Sequence, residues 1–161
     1  ELGLVIVFLR PLGLDFRERY LQMAHDFYHS SAVLHPIPDS FIEKTFNECM
    51  KEDAYAIAYL LEYDGETAGY GLLAKTFSQE AGGFVFWIEE LYVLEKFRSK
   101  GLGGKFFQML EEERSPEVVR FRLEVEDDNE RAIALYRRLG YEELKYSQMD
   151  KDFAESDEPV I

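Results

Sequence analysis

A single cysteine, Cys49, stands in this chain of 161 residues. That excludes an internal disulfide and fits a reducing compartment, so the cytoplasm is the expected location. Positive charge is scarce. Eighteen lysines and arginines face 32 aspartates and glutamates, for a formal net charge of -14. A nucleic-acid backbone demands a basic face, so no nucleic-acid partner is expected. No apolar run approaches the roughly 20 residues of a membrane helix, and no membrane partner is expected. Leu4 to Leu9 is short, lacks a basic flank and reads as a first strand rather than a signal peptide. Repeats, linkers and low-complexity stretches are missing too. Residues 1–150 therefore read as one domain, followed by an acidic tail over 151–161.

What is present belongs to a folded protein. The hydrophobic fraction is 47% and the aromatic fraction 15%, enough to bury a full core. Val5 to Arg10 predicts a strand ended by Pro11 and Gly13. Asp15 is placed to cap a helix whose apolar face carries Phe16, Tyr20, Met23 and Phe27. A loop stiffened by Pro36 and Pro38 leads to a second helix with Phe41, Ile42, Phe46 and Cys49. Ala54 to Tyr63 and Thr67 to Phe77 predict strands joined by Asp64 and Gly65, a strong hairpin pair. Gly82 and Gly83 lead into a third strand, Phe84 to Val93. A helix follows from Gly101 to Glu113, with Leu102, Phe106, Met109 and Leu110 on one stripe. Val118 to Val125 reads as a strand. Asn129 caps a helix that stops at Gly140, and Tyr141 to Met149 reads as a last strand. This order predicts a mixed α/β sheet with one central crossover helix.

The segment from Trp87 to Lys105, WIEELYVLEKFRSKGLGGK, carries the chemistry. Gly101, Gly103 and Gly104 leave backbone N–H groups free to face an anion at a helix start. Arg98, Lys100 and Lys105 surround them. Lys96 to Lys105 contains no acid, and a basic island on an acidic protein is where a polyanionic ligand docks. Two phosphate motifs fail here. A dinucleotide fingerprint needs a third glycine where Phe106 stands. A Walker loop needs glycine at Ser99 and Ser or Thr at Phe106. The bland alternative is a helix start with no ligand.

Arg98, Gly101 and Gly103 match the Arg/Gln-x-x-Gly-x-Gly/Ala loop of the GNAT N-acetyltransferase superfamily, and the chain resembles that superfamily from Val5 to Met149. A second block agrees: Asn129, Ala132, Leu135, Tyr136, Leu139, Gly140 and Tyr141 resemble its Asn-x-x-Ala-x-x-Leu-Tyr-x-x-x-Gly-Tyr segment. The resemblance implies a mixed, mainly antiparallel central sheet flanked by about four helices. It implies acetyl-CoA as co-substrate, with the amides of Ser99, Lys100, Gly101, Leu102, Gly103 and Gly104 on the pyrophosphate and Arg98 and Lys105 beside them. It implies that the backbone of Leu91, Tyr92 and Val93 pairs with the pantetheine arm. Asn129, Ala132 and Tyr136 would line the thiol end. The first two helices cover the acceptor side in this superfamily, which makes Tyr28 and His29, with His25 and His35, candidates for the acceptor pocket. The superfamily often dimerises, which leaves a homodimer open by analogy alone, and the sequence does not read the oligomeric state.

The chemistry is consistent with that assignment. A thioester is attacked by a neutral amine, and an alkylammonium has a pKa of about 10, so a base is needed. Glu89 and Glu90 are the candidates. Neighbours in a strand point to opposite faces, so at most one of them reaches the acceptor unless a bulge intervenes. By position Glu89 resembles the superfamily's acceptor-side glutamate. Tyr136, a phenol, can donate a proton to the leaving thiolate. The Val93 N–H is a candidate donor to the developing oxyanion. The expected activity is direct acetyl transfer from acetyl-CoA to a primary amine in a ternary complex. The Glu89 and Glu90 pair resembles that of diamine acetyltransferases, and the acidic surface suits a small cationic, polyamine-like acceptor. A protein N-terminus or lysine is the alternative. A non-catalytic acyl-CoA-binding module is the rival from another class.

Each residue also has a plainer explanation. Tyr136 fits a packed core tyrosine, and Glu89 and Glu90 fit sheet-edge charges. The acidic surface fits simple solubility. The HDFYH run from His25 to His29 echoes a zinc-protease pattern with Asp26 in place of glutamate. No third ligand is identifiable, and no metal is expected. Cys49 reads as a small buried apolar residue.

Overall fold

The computed structural model describes residues 4–153. The elements are β1 (Val7–Pro11), α1 (Arg17–Tyr28), α2 (Asp39–Cys49), β2 (Ala56–Tyr63), β3 (Glu66–Ser78), β4 (Gly83–Val93), α3 (Leu102–Glu113), β5 (Val118–Leu123) and α4 (Glu130–Arg138), with short 3-10 turns at Leu14–Phe16 and Glu95–Phe97. The five strands form one sheet in the order β1-β2-β3-β4-β5. The first four are antiparallel neighbours, and β5 runs parallel to β4 because α3 carries the chain across. This is the α/β fold with a mainly antiparallel sheet and four α-helices that the motifs implied.

Both faces of the sheet are covered. On one, α1 places Tyr20, Met23 and Ala24, and α2 places Ile42 and Phe46, against Leu60, Tyr70 and Leu72. On the other, Leu102, Phe106, Phe107 and Leu110 of α3 meet Leu61, Leu73 and Ile88. The central strand β3 is consequently buried from Thr67 to Leu73, an unbroken run rather than an alternation. Gly71 lets α3 approach it: a Cβ there would lie 2.2 Å from the Phe106 ring. The β2–β3 hairpin turns through Asp64 and Gly65, both at positive φ.

Three expectations are corrected. Asp15 caps nothing. It lies inside the 3-10 turn, and α1 starts after Phe16 with no side-chain cap. The α3 stripe buries Phe107 as well, while Met109 is only partly buried, because the helix lies flat on the sheet and covers it with a broader face than one row of residues. Residues 141–149 form no strand. The amino-acid pattern there is strand-like, but a ladder exists only where an edge is met. The segment instead runs across a cleft of about 1430 Å³ from β5, with Leu144 and Tyr146 exposed. The acidic tail beyond Phe153 lies outside the described residues.

Candidate active site

The site is built on an irregularity in β4. Opposite β3, Leu72 pairs with Glu90 but Leu73 pairs with Ile88, so Glu89 is the extra residue of a β-bulge. The bulge changes which residues face which helices. Before it, Phe86 and Ile88 face α3; after it, Leu91 and Val93 do. Tyr92 faces α1 and α2. Glu89, next to Ile88, and Glu90, next to Leu91, therefore share the α1/α2 face. Simple alternation would have separated them.

Glu90 is half-buried and held at both carboxylate oxygens. The Tyr28 hydroxyl, at the end of α1, donates to Oε2, and the Tyr70 hydroxyl, from β3, donates to Oε1 at 2.7 Å. Burial pushes the Glu90 carboxyl up, and the two phenol donors pull it back. Both phenols are pushed well above their ordinary value, by burial first and by Glu90 next. Glu89 faces solvent and has no side-chain hydrogen bond among the described residues. Its carboxyl is also pushed up, by partial desolvation and then by the charges of Glu90 and Glu124.

The same bulge marks where β4 loses its second neighbour. β5 pairs with Phe84 to Ile88 and stops at Leu123, so β4 from Glu89 to Val93 has a strand partner only on the β3 side. That open edge leads to the basic loop. Arg98 closes the junction, donating from Nε to the Val93 carbonyl at 2.9 Å with its guanidinium 5.9 Å from the Tyr92 ring. Ser99 and Gly101 adopt positive φ, 62° and 72°, which turns the chain into α3. Among the described residues no carbonyl or side chain accepts from the amides of Ser99 to Gly104; the first bond of the turn is Lys105 N–H to the Gly101 carbonyl at 3.2 Å. These orphan donors, with the positive end of the helix dipole, fit a pyrophosphate. Leu102 contributes only its backbone, since its side chain is in the core. Lys100 and Lys105 are exposed beside the loop.

The second motif block forms α4. Asn129 caps it, its side chain accepting from the Ala132 N–H at 3.2 Å, and Gly140 follows its end at φ 93°. The Tyr136 ring rests on Phe107 (5.5 Å) and Tyr141 (5.9 Å). Burial pushes its phenol up, and its hydroxyl has no partner among the described residues. No described contact joins Tyr136 to Glu89 or Glu90.

The helix α1 supplies Tyr28 to the site and leaves His29 apart. The His29 ring stacks on His25 (4.0 Å), and its Nδ1 lies 2.7 Å from the His25 carbonyl. His25 Nδ1 lies 2.8 Å from Asp39 Oδ1. Among the described residues no group of three or more His, Cys, Asp or Glu could hold a metal. Burial pushes the Cys49 thiol up to about 11, which keeps it protonated at neutral pH. Sequence reasoning missed Tyr70 and Glu124. Neither belongs to a motif, and only the strand register brings them to Glu90 and Glu89.

A helix start with unpaired amides thus lies beside a bulged, half-open strand of an α/β sheet. The chain belongs to the acetyltransferase (GNAT) family, whose model matches residues 18–141. It is 31% identical over 116 residues to the mouse thialysine N-epsilon-acetyltransferase, covering 68% of this chain and 64% of that protein. It is also 31% identical over 112 residues to the spermine/spermidine N(1)-acetyltransferase of Bacillus subtilis, covering 64% of this chain and 72% of the relative. The match thus spans a little under two thirds of the mouse protein's length. Among solved structures, a possible acetyltransferase from Clostridium difficile superposes with a TM-score of 0.78 at 16% identity, over 93% of this chain and 99% of its own. An aminoglycoside N-acetyltransferase in complex with CoA superposes with a TM-score of 0.73 at 13% identity, over 96% and 99%. Among the described residues no helix is long and apolar enough to cross a membrane.

Proposed function

We propose that this chain transfers acetyl from acetyl-CoA to a primary amine of a small cationic, polyamine-like molecule. One observation carries the reading: the β4 bulge brings Glu89 and Glu90 to one face at the point where the strand edge opens toward the phosphate-binding loop. The loop amides from Ser99 to Gly104 hold the pyrophosphate, and the open backbone from Leu91 to Val93 aligns the pantetheine arm. Bound acetyl-CoA supplies an activated thioester.

The residues then divide the proton work. Glu89, free of side-chain partners, takes the proton of the acceptor ammonium directly or through a water. Its raised proton affinity brings it nearer to that of the amine, which suits a base. The amine nitrogen bonds to the acetyl carbon as the carbon–sulfur bond breaks, and the second proton that the nitrogen sheds passes to solvent, from which Tyr136 regains the proton it gives up. Tyr136 stays protonated at neutral pH and holds the proton that the leaving thiolate takes. The Val93 N–H is the donor assigned to the oxygen of the acetyl group.

Glu89 and Glu90 share one face at the bulge, the charge of Glu124 is felt at Glu89, and among the described residues no Lys, Arg or His forms a salt bridge with any of the three. Together with the net charge of -14, that arrangement favours a cationic acceptor. The names of two relatives point the same way, since thialysine and spermine/spermidine are amines.

The test is thiol release from acetyl-CoA with spermidine, thialysine, an aminoglycoside and a peptide with a free N-terminus. Turnover is expected with the small polycations. Turnover with the peptide alone would replace the acceptor class. Tight acetyl-CoA binding without turnover on any amine would leave the non-catalytic module as the better description.

A further inference from the structure

The Glu90 site is more elaborate than a base requires. Tyr70 is fully buried, yet it directs its hydroxyl at Glu90 Oε1 from a position diagonal to it across the β3–β4 ladder. Its ring is fixed edge-on by Tyr20, with centroids 5.2 Å apart, and lies 6.0 Å from Tyr92. Tyr28, at the end of α1, takes the other oxygen. With both oxygens engaged by phenols, Glu90 is the less available of the two carboxylates for an incoming ammonium. Phenol donors stabilise a carboxylate over its acid form, offsetting the desolvation that burial imposes. The bulge then sets this held charge beside Glu89.

We propose that Tyr70 and Tyr28 act as a clamp that keeps Glu90 a fixed anion, and that Glu90 serves as the charge which sets the proton affinity of the base Glu89. Tyr70 is thus a positioning residue, acting through Glu90. This rests on the reading of Glu89 as base.

The groups bearing on the pair are Tyr20 and Tyr28 from α1, Tyr70 from β3 and Glu124 beyond β5. Among the described residues no cation is salt-bridged to either carboxylate. The sign follows. A neighbouring negative charge makes Glu89 harder to ionise, so the acid limb of kcat/KM is shifted upward from the ordinary carboxylate value. Removing the Glu90 charge lowers that limb. Removing a phenol donor raises the proton affinity of Glu90, neutralises it at a higher pH, and lowers the Glu89 limb by a smaller amount.

The experiment is the pH profile of kcat/KM with a fixed amine for the wild type, Glu89→Gln, Glu90→Gln, Tyr28→Phe and Tyr70→Phe. Glu89→Gln is expected to abolish the acid limb. Glu90→Gln is expected to move it down by up to about one pH unit, tenfold in proton affinity. Both phenylalanine variants are expected to move it down by less. A purely structural role for Tyr70 would lower the rate at every pH and leave the limb in place. Should Glu89→Gln remove the limb while Glu90→Gln and the tyrosine variants leave it unmoved, the clamp is overturned and the base stands. A limb that survives Glu89→Gln overturns the base itself. Tyr28 lies nearer the surface than Tyr70, so Tyr28→Phe and Glu90→Gln decide the question even if Tyr70→Phe does not fold.

Discussion

Arg98 donates from Nε to the carbonyl of Val93 at 2.9 Å, tying the loop before α3 to the strand whose edge is open. The side chain that the motif places beside the pyrophosphate braces the loop against that strand. Arg98→Ala should raise the KM for acetyl-CoA about fivefold, roughly 1 kcal/mol for an exposed charge-assisted hydrogen bond, with a smaller effect on kcat. Steady-state kinetics with the amine saturating checks this. An unchanged KM would remove Arg98 from the site.

Gly103 offers the cleanest separation of fold from binding. A Cβ there would sit 3.8 Å from Leu91, an ordinary contact, and its φ is not in the left-handed region. Gly103→Leu should therefore fold with a nearly unchanged Tm. It should weaken coenzyme A binding by at least about tenfold, roughly 1.4 kcal/mol, because the larger side chain occupies the space before the orphan amides. Calorimetric titration and a thermal melt on the same sample read the two effects. Wild-type affinity in the folded variant would refute the anion cradle.

Tyr136→Phe keeps the ring that rests on Phe107 and Tyr141 and removes only the hydroxyl. If that hydroxyl holds the proton for the leaving thiolate, kcat should fall by about a hundredfold or more, with acetyl-CoA affinity retained. A wild-type rate across the pH range would return Tyr136 to the core.

Gly71 is a packing requirement with a stability readout. A Cβ there would meet the Phe106 ring at 2.2 Å, and Phe106 is fully buried between β3 and the rest of α3. Gly71→Ala should cost about 1–3 kcal/mol through forced displacement of α3, a fall in Tm of roughly 2–4 °C per kcal/mol for a domain of this size. Because α3 begins at the anion loop, coenzyme A affinity should fall with it. Denaturant melts report the first effect and titration the second.

Much of this protein is written locally. The Asp64–Gly65 turn, the Asn129 cap and the Gly140 stop are each decided within a few residues by backbone sterics and one hydrogen bond, and each stands in the structure where the residue types place it. The turn before α3 belongs with them. Ser99 and Gly101 at positive φ turn the chain into a helix start, and the amides from Ser99 to Gly104 have no acceptor among the described residues. The amphipathic stripes of α1, α2 and α3 likewise follow from helical periodicity.

Other features depend on pairing between segments far apart in the chain, and no local pattern encodes them. Tyr28 and Tyr70 reach Glu90 from 62 and 20 residues away, through helix docking and hairpin register. The bulge that turns Glu89 and Glu90 to one face is a mismatch between two strands, a property of neither alone. The segment from Tyr141 to Met149 has strand-like residues and no strand, because a ladder needs an edge to join. The amino-acid order by itself determined most of the helices, the hairpin turn and the unpaired amides before α3, since backbone conformation is short-ranged. Only the tertiary structure decided which carboxylate is held and which is free, since that depends on hydrogen bonds between surfaces brought together by folding.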